Sequence, residues 1–173
     1  MNAIKLLEQQ HREVESIFRK LEGEGRGDPE ALVTELANDL AAHMTIEQEI
    51  FYPAINELDH EHVLESYEEH ALAEVALKRL LAAAPQADEF KARVSALRDL
   101  IQHHVAEEEK ELFPEVEKAM DEQRLVELGN LMQQRFEEVV GAGYESAVPR
   151  GFARTSSDVS RKALKKSASH KAA

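Results

Sequence analysis

One phrase occurs twice in this chain, and its repetition constrains the fold more than any other feature. His43-Met44-Thr45-Ile46-Glu47 leads to Phe51-Tyr52-Pro53, and His104-Val105-Ala106-Glu107-Glu108 leads to Leu112-Phe113-Pro114. In both copies the glutamate follows the histidine by four residues and the proline follows it by ten. Another histidine precedes each copy: His11 lies 32 residues before His43, and His70 lies 34 before His104. The order is His, HxxxE, His, HxxxE, the mark of an internally duplicated architecture.

The segments around these residues read as helices. Alanine, leucine and glutamate dominate, aromatic residues make up 5% and tryptophan is absent, which favours helix over strand. The first segment runs from Asn2 to Leu21 and is ended by Gly23, Gly25 and Gly27. Asp28-Pro29 then supplies an N-cap and a first-turn proline for a second, to Leu58, which Pro53 should kink or end early. A third covers Glu61 to Ala84, stopped by Pro85. A fourth, with Asp88 as its cap, reaches Met120 and contains Pro114; a short fifth spans Glu122 to Val140. Four long helices with short connections predict an all-α, up-down-up-down four-helix bundle over residues 1–140.

The remainder, 141–173, reads as a flexible, basic tail. It carries a net charge of +5, against −18 for the rest. An acidic bundle does not attract nucleic acid. Met1 to Gln10 shows no signal peptide and the chain has no transmembrane run, so the expected location is cytoplasmic, with no membrane partner.

Residues four apart on a helix share a face, so each HxxxE pair aims one imidazole and one carboxylate at a single point. All four histidines lie on apolar stripes. Leu7 and Phe18 flank His11, Leu36, Leu40 and Ile50 flank His43, Val63 and Leu77 flank His70, and Leu97 and Ile101 precede His104. A lone inward histidine is usually a hydrogen-bonded core residue. Four, one on each helix, are harder to bury unpartnered, at roughly 2–7 kcal/mol per polar group. With no cysteine in the chain, thiolate sites and iron–sulfur clusters are excluded, and His with Glu suits iron, manganese or zinc. Six ligands exceed the need of one tetrahedral zinc and suit two metals with carboxylates free to bridge.

Other residues rank lower. His60 and His62 fall at a helix junction, His103 is turned about 100° from His104, and His170 is in the tail. Glu15 and Glu74 stand four residues after His11 and His70. Glu15 reads as solvent-facing and Glu74 is open between ligand, imidazole-orienting acceptor and surface residue. Tyr67, one turn before His70, reads as a core tyrosine within reach of the site. Glu8-Gln9-Gln10-His11 and Glu57-Leu58-Asp59-His60 match the Glu-x-x-His element of ferritin-like bundles, but not at mirrored positions.

Over residues 1–140 these motifs resemble the hemerythrin-like HHE cation-binding family. The resemblance implies a bundle around two non-haem iron ions, ahead of zinc or manganese. Its ligands would be His11, His43, Glu47, His70, His104 and Glu108, with Glu47 and Glu108 bridging. It implies dioxygen or peroxide as the small ligand, bound, decomposed in a catalase-like reaction, or sensed; the alternative is an iron- or oxygen-sensing module without turnover, its signal read by a partner of the basic tail. The sequence departs from respiratory hemerythrins, which carry HxxxH on the third helix and end with an aspartate. Glu74 and Glu108 stand at those places, which argues against simple reversible oxygen carriage.

Overall fold

The computed structural model describes residues 1–23 and 27–148. Gly25, His170 and the tail from 149 onward lie outside that range. Helix α1 (Ala3–Leu21) starts where the Asn2 side chain accepts from the Lys5 N–H at 3.0 Å. Helix α2 (Pro29–Ile46) starts at the Asp28 cap with proline in its first turn. It runs into a π-helical turn (Glu47–Phe51) and the short α3 (Tyr52–Ile55). Helix α4 spans His60–Leu81 and α5 spans Asp88–Glu107. A second π-helical turn (Glu108–Leu112) leads into α6 (Phe113–Ala119), and α7 (Glu122–Ala142) follows the Asp121 cap.

The apolar residues form two clusters, and the order in which each helix visits them gives the topology. One cluster holds Ile4, Leu7, Ile46, Phe51, Tyr52, Ile55, Val63, Leu112, Phe113 and Val116. The other holds Val14, Phe18, Leu36, Leu40, Leu77, Leu80, Val94, Leu97 and Ile101. Helices α1 and α4 run from the first to the second, while α2 returns from the second to the first, as does α5 together with the turn and α6 that continue it. That is the up-down-up-down bundle expected from the repeat. Each helix changes cluster at its histidine, so His11, His43, His70 and His104 share one layer between two apolar plugs.

Helical backbone continues through Pro53 and Pro114, although the second helix stops at Ile55, short of the expected Leu58. Proline lacks an N–H and its ring collides with the carbonyl four residues back. The chain absorbs this by widening the preceding turn: the Tyr52 N–H donates to the Glu47 carbonyl and the Phe113 N–H to the Glu108 carbonyl, five residues back in both cases. Asp88 is not a cap. The cap position is Ala87, and Asp88 opens the first turn of α5, where its charge faces the positive helix end.

Residues 141–148, assigned to the tail from sequence, pack on the bundle. Helix α7 continues to Ala142, the Tyr144 N–H donates to Asn38 Oδ1 at 2.8 Å, and Ala147 and Val148 are buried in the second cluster. Glycine and proline at 141–149 signal turns, and turns can dock as well as dangle.

Helix α7 lies against α1 and α2. Gly129 sits mid-helix there because the chain start crosses it: a Cβ would stand 2.8 Å from Ala3 N and Asn2 C, and closer still to the Met1 carbonyl oxygen. Alanine ordinarily stabilises a helix relative to glycine. Here Gly129→Ala should instead lower unfolding stability by about 1–3 kcal/mol in urea titration, because backbone must move to admit the methyl group.

Candidate metal centre

The six residues predicted as ligands converge in the layer between the plugs. His11, His43, Glu47 and Glu108 offer ligand atoms within 4.8 Å of one another, and so do Glu47, His70 and His104. All six are at most 5% exposed.

The arrangement has approximate two-fold symmetry. The rings of His11 and His43 meet edge-on at 4.9 Å and 70°, and those of His70 and His104 at 4.6 Å and 69°. The carboxylates link the two histidine pairs. Glu47 Oε2 is 3.3 Å from His43 Nε2 and 3.3 Å from His70 Nε2. Glu108 Oε2 is 3.4 Å from His11 Nε2 and 3.6 Å from His104 Nε2. Each carboxylate thus reaches one histidine of each pair, the placement a bridging ligand needs.

A ring of side chains orients the imidazoles from behind. His43 Nδ1 is 2.9 Å from Gln10 Oε1, and His104 Nδ1 is 2.7 Å from Glu69 Oε2. His11 Nδ1 is 2.8 Å from Glu109 Oε1, and His70 Nδ1 is 3.1 Å from the Gln48 amide. A half-turn of that amide presents its oxygen, and then every Nδ1–H has an acceptor. The ring obeys the repeat: Gln10 and Glu69 precede His11 and His70, while Gln48 and Glu109 follow Glu47 and Glu108. Holding the outer nitrogen as a donor leaves Nε2, the inward one, free to bind metal.

Electrostatics and unmet polar atoms both fit a cation here. His11 Nε2, both Glu47 oxygens and Glu108 Oε2 are buried without a hydrogen-bond partner. Burial and the neighbouring Glu108 push Glu47 well above the usual carboxylate range. Burial also raises Glu108, but His104, His11 and His43 outweigh it and hold that carboxyl well below its usual value. Burial and adjacent imidazoles push His43 and His70 down. Burial pulls His104 down too, yet Glu108 and Glu69 win and raise it. A nitrogen and oxygen donor set with unpartnered lone pairs, in a dry layer, suits divalent first-row metals.

The family model for the hemerythrin HHE cation-binding domain matches residues 2–116. The chain belongs to that family. An HHE protein crystal structure from Mycobacterium kansasii superposes with a TM-score of 0.72 at 25% identity, covering 82% of this chain and 89% of that one. An uncharacterized protein of Mycobacterium tuberculosis is 26% identical over 146 residues, 82% of this chain and 89% of the relative. A DNA nickase of Nostoc sp. is 32% identical over 117 residues, 65% of this chain. The match takes in only 33% of the nickase, so this HHE chain spans about a third of that relative.

One residue at the centre carried no assigned role from sequence. The Tyr52 hydroxyl donates to Glu108 Oε1 at 2.9 Å and lies 3.3 Å from His70 Nε2 and 3.5 Å from His104 Nε2. On a regular helix Tyr52 would point about 140° away from Glu47. The π-helical turn brings it inward, and Pro53 was the available signal. Tyr67 does not take that place: its hydroxyl donates to the Gln48 carbonyl at 3.1 Å. Glu15 pairs with Arg12 on the surface at 3.6 Å, whereas Glu74 is buried at 4% exposure. His60 stays exposed beside Asn56, and half-buried His62 pairs with Asp59.

Gln10→Ala leaves His43 without its outer acceptor and should weaken binding of divalent metal about 10- to 100-fold, with helical circular dichroism unchanged. Metal uptake should also release protons. Glu47 and His104 are raised, so each gives up its proton less readily and competes with a metal for its lone pair; affinity should rise with pH and fall as acid is added. Calorimetry in two buffers of different ionisation enthalpy measures that release; equal heats in both would contradict it.

Proposed function

We propose that this chain is a non-haem di-iron protein whose centre acts on dioxygen or peroxide. The observation that carries the reading is the pair of buried carboxylates, each shared between two histidine pairs, with both Glu47 oxygens and Glu108 Oε2 lacking a hydrogen-bond partner. His11 and His43 would hold one ion, His70 and His104 the other, with Glu47 and Glu108 between them. When bound, the two irons supply one-electron steps between ferrous and ferric states toward dioxygen or hydrogen peroxide.

The chain's own residues would set the conditions for that chemistry. The two apolar plugs exclude water from the layer, which strengthens every charge interaction inside it. Four imidazoles fixed through Nδ1 keep their donor nitrogens aimed inward as substrate comes and goes. The Tyr52 phenol, held protonated by burial and by Glu108 and Glu47, keeps a proton at Glu108 Oε1 beside the reacting volume. A small ligand has an approach on one side. A crevice of about 230 Å³ between α1 and α5 is walled by Val14, Phe18, Ile101 and Val105 and reaches His11. Arg12 and Lys110 line it together with Glu15 and Glu109, a balanced mixture that suits a small neutral molecule. Peroxide turnover fits this site better than oxygen storage, because Glu74 and Glu108 replace the histidine and aspartate of the respiratory pattern.

Untagged protein from iron-supplied cells should contain about two irons per chain, as expected of a two-metal bundle site. Its near-ultraviolet absorption should change on adding hydrogen peroxide, with oxygen evolved. Iron without turnover would leave the sensing alternative, and zinc alone would remove the redox reading. Tyr52→Phe should keep the iron and lower peroxide turnover about 10- to 100-fold, the range for losing a positioned proton donor.

A further inference from the structure

The two halves of the repeat differ on their outer surface. Counted from the paired histidines, Gln10, Ala42 and Ile46 in the first half correspond to Glu69, His103 and Glu107 in the second. The first three are buried, at 5%, 0% and 0% exposure, on the helices that α7 packs against. The second three reach solvent: the Glu69, Glu107 and His103 side chains are 17%, 30% and 66% exposed.

Those three side chains are arranged around a point. His103 Nε2 is 3.2 Å from Glu107 Oε1 and 3.5 Å from Glu69 Oε1, and one ligand atom of each lies within 4.8 Å of the others. Such separations are the edges expected around a cation with metal–ligand bonds of about 2.0–2.2 Å. Glu69 has a second attachment. Its other oxygen, Oε2, takes the Nδ1 of the buried His104 at 2.7 Å. One carboxylate therefore touches the surface trio on one side and an imidazole of the buried centre on the other.

We infer that Glu69, His103 and Glu107 form a surface site for a divalent transition-metal cation and that this site loads the buried centre. The inference rests on the buried centre taking metal. The plugs close the layer at both ends, and in the crevice at His11 the carboxylates Glu15 and Glu109 are taken up by Arg12 and leave no open trio of ligand atoms. Glu69 is the thin wall on the other side. The acidic bundle concentrates cations at its surface, and the trio captures them where the wall is one side chain deep. Glu69 then passes the cation inward as it turns past the His104 ring. The half-buried His62, which also has two acidic neighbours, Asp59 and Glu111, has no such link to the centre.

The test uses metal-free full-length chain mixed with Co(II), whose visible absorption reports arrival in the buried centre. The double variant His103→Ala/Glu107→Ala should reach the wild-type final Co(II) content but fill about tenfold more slowly, the scale of lost electrostatic capture. His62→Ala should fill at the wild-type rate. Crystals soaked in Co(II) should show an anomalous peak between His103 and Glu107. An unchanged rate in the double variant, equal slowing in His62→Ala, or no surface peak would overturn the inference. Wild-type chain that takes up no Co(II) at all would instead overturn the metal centre, and the loading role with it.

Discussion

Everything in this bundle is organised around placing six ionisable side chains where water does not reach. Isolated charges in such a layer are prohibitively costly, and unpaired polar atoms cost roughly 2–7 kcal/mol each. The protein meets the cost in three ways. It aims the imidazoles at each other's carboxylates, it shifts Glu47 towards its neutral form, and it ties every Nδ1 to a partner outside the layer. What is left unmet points to the middle. The packing follows from this, since each of the four helices must bring its inward histidine to the same height and bury apolar side chains above and below.

The duplicated phrase made most of this legible. His11, His43, Glu47, His70, His104 and Glu108 could be named because four-residue spacing fixes a helical face and mirrored order fixes which helices oppose. The acceptors Gln10, Gln48, Glu69 and Glu109 could not, because each serves a histidine on another helix, and cross-helix register is a product of packing. They do adjoin the ligands in sequence, a signal that becomes readable only once the histidines are placed. Tyr52 was hidden for a local reason. A period of 3.6 residues turns it away from the centre, and only the wide turn ahead of Pro53 turns it back.

Helix α7 and the segment after it show a different limit. Sequence periodicity marks α7 as amphipathic but does not say which pair of helices it covers. Once it lies on α1 and α2, Gln10, Ala42 and Ile46 become interior residues, while their counterparts on α4 and α5 face solvent. The burial of Ala147 and Val148 extends the same cover. Asp88 is a smaller instance: an acidic residue near a helix start can cap it or merely oppose its dipole, and one position decides which.

A perfectly duplicated frame would hold a centre unable to tell its left from its right. Here the residues nine beyond the two HxxxE histidines differ by one oxygen atom: Tyr52 sets a hydroxyl against Glu108, while Phe113 stacks its bare ring 6.0 Å from His11. That oxygen gives the layer a direction. One end of the layer is faced by a phenol oxygen and the other by a hydrocarbon wall, so the two halves of the centre are not equivalent.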